Sequence, residues 1–253
     1  MLDKKTPAEI AILREGGLLL AKIRDTLAES VKAGMTGLDL DALAEKLIKE
    51  AGGKPAFKHY HGFPNALCVS VNQTVVHGIP NKMPFQAGDL VGIDIGMEYQ
   101  GFYTDTAVTV GVGDIGEQAE TLLSVCQQAL QIGILAVKPG GYISDIGKAI
   151  EKYVKPYGFG IVRDLTGHGV GRAVHEDPYI PNYNPGKRLE EMFPGLVLAI
   201  EPMITLGGDF AITIAKNNWD VQARDQSLTA HFEHTVVVTE TGHEILTDSK
   251  INK

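Results

Sequence analysis

Asp94, Asp105, Glu201 and Glu233 are four acids set in stretches that otherwise read as buried β-strand: "GIDIG", "YTDTAVTV", "LVLAIEPM" and "HFEHTVVV". A carboxylate inside an apolar strand costs free energy unless it is hydrogen-bonded, protonated or paired with a cation. The turn signal "MEYQGF" separates the first two stretches and predicts an antiparallel hairpin. A loop centred on Tyr99-Gln100 pairs residues whose numbers sum to 199, and so sets Asp94 directly opposite Asp105. Like charges so placed repel, and the pair must either share a proton or hold a cation. A loop centred one residue later, on Gln100-Gly101, would offset the two acids.

Three histidines fit the same chemistry. "TGHGVGRAVHEDP" carries His168 and His175 in a Gly-rich context without helical period, and "TVVHGIP" carries His77 at a strand end. A lone histidine is more often a core or surface residue, and His59, His61, His231, His234 and His243 are read that way. Four carboxylates with one imidazole suit two divalent ions such as Mn, Fe, Co or Zn. The acids of the second half favour such a dinuclear site over a shared-proton dyad.

The elements that must carry these residues come as a repeat. Thr6, Pro7 and Glu9 form a capping-box start for a helix running to about Val31, and Thr36 with Asp39 opens a second helix that Gly52-Gly53 ends. The same grammar returns 106 residues later: Gly34 matches Gly140, Asp39 matches Asp145, and Gly52 matches Gly158. The strands repeat too, setting Asp94 against Glu201 and Asp105 against Glu233. This predicts two related α/β halves, about 1–112 and 113–253, forming a single catalytic domain with the site between them. No Ser/Gly-rich or charged linker divides them.

Bulk composition excludes other roles. The chain has 253 residues, 44% hydrophobic, and a net charge of −8, with no basic cluster longer than Lys187-Arg188, which argues against nucleic-acid binding. Cys68 and Cys126 cannot build a disulfide framework. The apolar cluster "GGLLLA" is far short of the ~20 residues that cross a bilayer, and the opening "MLDKKTPAEI" is unlike a signal peptide. The expectation is a cytoplasmic protein with free thiols and no membrane span.

Taken together, Asp94, Asp105, His168, Glu201 and Glu233, with "HGIP" at 77–80, "GHGVGRAVHEDP" at 167–178, "IEPM" at 200–203 and "FEHTVVV" at 232–238, resemble the bacterial type I methionine aminopeptidases over nearly the whole chain. Only 33 positions separate His168 from Glu201, so the long insertion of the type II enzymes is absent. The resemblance implies the pita-bread fold, an α/β (α+β) architecture with antiparallel sheets around a central dinuclear metal site. It makes Asp105 and Glu233 bridging ligands, Asp94 the chelator of one ion, and His168 with Glu201 the ligands of the other.

It further implies a metal-bridged water as nucleophile, Glu201 as its proton shuttle, His175 as donor to the carbonyl oxygen and His77 as a contact to the scissile amide nitrogen. Tyr60, Phe63, Cys68 and Trp219 would line a methionine pocket. Phe57 stands where relatives often carry Cys, Phe63 where Tyr is usual, and Val174 where an aromatic is common. A monovalent cation would lie near the backbone of Asn72, Thr74 and Thr229. The implied partners are nascent polypeptide N-termini at the ribosome, cut when the second residue is small, and the implied state is a monomer. Two rival readings are a proline-directed peptidase of the same fold and a binding protein that has lost the metal.

Overall fold

The computed structural model describes residues 2–249. Among the described residues there are four α-helices, and capping contacts open three of them. In α1 (Pro7–Ser30) the Thr6 hydroxyl accepts from Glu9 N–H, and the Glu9 carboxylate accepts from Thr6 N–H at 2.8 Å. Thr36 and Asp39 do the same for α2 (Gly37–Glu50), whose end is turned by Gly52 at φ +80°. After α3 (Gly116–Leu135), α4 (Ile143–Val154) opens with Asp145 accepting from Tyr142 N–H at 3.0 Å, the position that Asp39 holds in α2. Gly17 lets α1 lie close to the sheet, because a Cβ there would come within 2.5 Å of the Leu246 carbonyl oxygen.

The strands of the N-terminal part are β1 (Lys54–Pro55), β2 (Cys68–Val71), β3 (Thr74–Val76), β4 (Leu90–Tyr99) and β5 (Phe102–Gly111). Then follow β6 (Gly160–Ile161), β7 (Gly167–Gly169), β8 (Glu176–Ile180), β9 (Val197–Ile200), β10 (Met203–Thr205), β11 (Ile212–Ile214), β12 (Val221–Ala223), β13 (Thr229–His231), β14 (Glu233–Val238) and β15 (His243–Ile245). The large sheet runs β1-β4-β5-β14-β9-β7-β8, with β2 beside β4 and β15 beside β14, and its pairings are antiparallel. Two three-stranded sheets, β13-β10-β6 and β11-β12-β3, flank it.

Strand alternation divides the large sheet into two faces. Ile93 and Ile95 of β4 pack under Leu20, Leu27, Leu40 and Ile48 of α1 and α2. Leu198 and Ile200 of β9 and Val236 of β14 pack in the same way under Leu122, Leu130, Ile146 and Ile150 of α3 and α4. Residues alternate to these, Asp94, Asp105 and Glu233, line a shared cavity on the other side.

The hairpin differs from its predicted register. Tyr99 pairs with Phe102 and Leu90 with Gly111, so paired numbers sum to 201 and Asp94 lies opposite Ala107 while Asp105 lies opposite Gly96. The cause is the turn: Gln100 (φ 50°) and Gly101 (φ 87°) both adopt positive φ, the geometry of a primed two-residue hairpin loop. The loop is therefore centred on Gln100-Gly101, one residue later than the expected Tyr99-Gln100. The slip is two residues, an even number, so the acids keep a common face and become diagonal neighbours.

Candidate metal centre and active site

Five neighbouring strands each place one candidate ligand at the middle of the large sheet. Across the order β4-β5-β14-β9-β7 these are Asp94, Asp105, Glu233, Glu201 just beyond β9, and His168. Cys68 is opposite Asp94, Asp94 opposite Ala107, and Ala107 opposite Glu233, so a methyl group separates two carboxylates and leaves space between them. His168 Nε2 lies 3.5 Å from Glu201 Oε1.

All five side chains are buried, and the carboxylates have little else to satisfy them. Asp94 Oδ1, Asp105 Oδ1 and Glu233 Oε1 are buried without a hydrogen-bond partner. Among the described residues, no Lys or Arg lines the cavity around them. Ligand atoms of Asp105, His168 and Glu233 lie within 4.8 Å of one another. Orphaned carboxylate oxygens converging with one imidazole are the donor set that first-row divalent cations take, so the residues fit the metal centre that the motifs imply.

The electrostatics agree with that fit. Burial, then the Asp105 and Glu201 charges, drives the Asp94 carboxyl well above the usual range. Glu233 is raised by burial and by the charges of Asp105, Glu201 and Asp94, and Glu201 is raised by burial. Burial and the Glu201 charge lift Asp105 to about 7. Four acids that resist ionisation together await a compensating positive charge. The histidines are pushed the opposite way: burial lowers His168 to about 3, and His77 and His175 to about 4, so all three are neutral at pH 7.

The ligands sit in a cavity of about 210 Å³ lined also by Tyr60, Phe63, Cys68, Trp219, His77 and His175. Every predicted site residue is thus brought to one place. The Phe63 and Trp219 rings meet edge to face at 5.1 Å, while Phe57 adds a third aromatic wall. Cys68 keeps its proton, because burial and the Asp94 charge raise its thiol pKa. His175 Nδ1 lies 3.0 Å from the Tyr60 hydroxyl. If Tyr60 donates there, the proton of neutral His175 is on Nε2, the tautomer that can donate to a substrate oxygen. His77 directly follows β3 at φ 58°, a left-handed conformation that costs a non-glycine residue free energy.

Residues 11–240 match metallopeptidase family M24. The chain belongs to that family. It is 44% identical to methionine aminopeptidase 1 of Bacillus subtilis over 247 residues, covering 98% of this chain and 99% of that one. The crystal structure of methionine aminopeptidase from Thermotoga maritima superposes with a TM-score of 0.95 at 42% identity, over 98% of this chain and all of that one. A prolidase from Pyrococcus furiosus is more distant, with TM-score 0.77 and 27% identity, and this chain spans 66% of it. The pita-bread fold, the kinship with bacterial type I methionine aminopeptidases and the metallopeptidase class expected from the motifs are borne out.

Sequence reasoning missed several residues of this M24 site. His61, Leu165, Thr166 and Met203 also line the cavity. His231, read as an ordinary core residue, is buried with Nε2 3.3 Å from Glu201 Oε2, an ion-pair distance without hydrogen-bond geometry. A usable signal existed: His231 stands two residues before Glu233, the spacing that keeps side chains on a common face. The Asn72 and Thr74 carbonyls both accept from the Thr229 hydroxyl at 2.9 Å, so the three residues named for a monovalent cation do converge. Both cysteines are free, and among the described residues no helix is long and apolar enough to cross a membrane.

Proposed function

We propose that this M24 metallopeptidase removes the N-terminal methionine of nascent proteins and peptides when the second residue is small. The observation that carries the reading is the set of orphaned carboxylates of Asp94, Asp105 and Glu233 at the end of an apolar cavity. Two divalent ions of Co, Mn, Fe or Zn would be held there, one by Asp94 and the other by His168 with Glu201, with Asp105 and Glu233 contributing to both. Ions held there supply Lewis-acid polarisation of a carbonyl and make water at the site more acidic. Glu201 receives the proton of the attacking water and returns it toward the departing amine. His175 donates to the carbonyl oxygen as it gains charge, and His77 contacts the scissile nitrogen. Tyr60, Phe63, Cys68 and Trp219 receive the methionine side chain.

The cellular setting belongs to the same proposal: a cytoplasmic monomer built from two related halves, meeting nascent chains at the ribosome, with a monovalent cation at Asn72, Thr74 and Thr229. Hydrolysis of Met-Ala-Ser, Met-Leu-Ser, Leu-Ala-Ser and an Xaa-Pro peptide at matched concentrations, across the four metals, tests the specificity. Met-Ala-Ser is the expected best substrate. Leu-Ala-Ser should be rejected only in part, since a one-methylene misfit in an apolar pocket is worth ~1–3 kcal/mol. Equal cutting of Met-Leu-Ser would defeat the small-second-residue claim, and a preference for Xaa-Pro would replace it with proline-directed cleavage.

A further inference from the structure

Lys5 has the surroundings of a core residue: its side chain is 1% exposed, although it lies in the polar opening stretch "LDKKTP". Its ammonium group pairs with the Glu176 carboxylate and lies 3.1 Å from Asp3. Glu176 directly follows His175 in sequence, and its other oxygen, Oε1, accepts from the backbone N–H groups of Arg172 and Ala173. One carboxylate therefore closes the 170–175 loop on itself with one oxygen and ties it to the N-terminal segment with the other.

Further contacts fix the N-terminal segment and hold the loop to it. Lys5 N–H donates to Gly195 O at 2.9 Å, fixing the segment that carries the lysine. Arg172 pairs with Asp3 at 2.9 Å and with Glu9 at 2.7 Å. Gly171, at φ +143°, is where the lysine stem crosses the loop, since a Cβ there would come within 2.5 Å of Lys5 Cε. On its far side the loop presents His175 to the cavity, with its ring 4.3 Å from that of His168 and its Nδ1 3.0 Å from Tyr60.

We infer that Lys5 and Glu176 are positioning residues that hold His175 in place, so that the N-terminal segment completes the active site from outside it. This rests on the proposed role of His175. Separating a buried lysine from its carboxylate partner is costly, so the pair favours one geometry, and that geometry includes the loop. Freeing the loop lets the imidazole drift from the carbonyl oxygen, and a misplacement of ~1 Å at a reacting centre can cost ~10² in rate.

The test is a cycle of Lys5→Met, Glu176→Gln, His175→Ala and the Lys5→Met/His175→Ala double variant in the metal-loaded enzyme, assayed on Met-Ala-Ser. Lys5→Met and Glu176→Gln should each lower kcat by ~10 to 10², with KM changed less than about threefold and metal content equal to the parent's. The double variant should be no slower than His175→Ala. In metal-free protein, amide hydrogen exchange of residues 171–176 should quicken in Lys5→Met and not in Arg14→Ala, which breaks a different staple from α1, to Glu244. Should Lys5→Met fail to fold, the near-isosteric Glu176→Gln and its double variant with His175→Ala give the same comparison. Parental kcat in the folded variants, or effects that multiply with His175→Ala, would overturn the inference. Parental kcat in His175→Ala itself would instead overturn the role of that histidine, and the inference with it.

Discussion

The two faces of the central strands treat polar groups in opposite ways. On the helix face, Thr106 accepts from Arg24 at 2.7 Å and donates to the Glu233 carbonyl at 2.8 Å, Arg24 also reaches Thr247 O at 3.1 Å, and His234 Nδ1 meets the Thr247 hydroxyl at 3.0 Å. One residue along the same strands, on the cavity face, Asp105 and Glu233 keep a buried oxygen with no partner. Among the described residues eight buried side-chain atoms lack a partner, and four belong to Asp94, Asp105, Glu233 and His231. Thr106 and His234 show that this chain can satisfy buried polar groups in these strands, so the orphans opposite are the mark of a ligand site.

Replacement of one acid should therefore improve the bare fold and destroy the function. Asp105→Asn removes one of several mutually repelling carboxylates, and the metal-free variant should unfold no earlier than the metal-free parent. Divalent metal stabilises the parent by about 2.7 kcal/mol at 100 times its Kd. The variant should show little of this stabilisation, and turnover should fall below detection. Calorimetry with and without metal, alongside metal stoichiometry, measures both halves of the claim. A variant with parental metal content and turnover would remove Asp105 from the site.

The opposite face should give the opposite pattern. Arg24→Met leaves Thr106 and the Thr247 carbonyl short of a donor at a buried site, and each such loss costs about 1–3 kcal/mol. Urea unfolding should register that cost, whereas kcat per folded molecule should stay within about twofold of the parent. A large loss of kcat with unchanged stability would mean that the helix face takes part in the chemistry.

How much of this was legible in the sequence follows the same division. The acids were readable because charge inside an apolar strand violates burial chemistry, and the helix starts because Thr6 with Glu9 and Thr36 with Asp39 are local hydrogen-bonding arrangements. The hairpin register was not, since loops centred on Tyr99-Gln100 and on Gln100-Gly101 share the same turn signal and differ by a shift of two in the pairing. Lys5 was hidden for a related reason: a lysine in a polar stretch reads as solvated, and its burial depends on Glu176 lying 171 residues away. His231 was passed over although it stands two residues before Glu233, because the fold alone brings it beside Glu201. Misses concentrated where long-range packing decides, whereas each acid was anomalous within its own strand and could be singled out without that packing.

The smallest expected effect is a pH dependence that sharpens the contrast between faces. Burial, and then the Arg24 charge, holds the His234 pKa down to about 3, against about 6.5 for an unfolded histidine. A base whose folded pKa is depressed contributes stability that is complete above pH 6.5 and is lost as pH falls toward 3, because the unfolded chain takes up the proton first. Metal-free parent protein should thus lose about 1.4 kcal/mol per pH unit below 6.5 from this group. The raised carboxyls of the cavity face act in the other direction, stabilising the metal-free fold at low pH and losing that contribution as pH rises through about 7 for Asp105. Comparison with His234→Gln isolates the histidine, because the cavity terms are common to both proteins. Replacement loses the contact to Thr247, so at pH 7.5 the variant should be the less stable by about 1 kcal/mol. Below pH 6.5 its stability should fall less steeply, and the two curves should cross between about pH 6 and 5. Urea unfolding at half-unit steps from pH 7.5 to 5 measures this, and parallel curves would show that His234 takes up a proton in the folded protein as readily as in the unfolded chain.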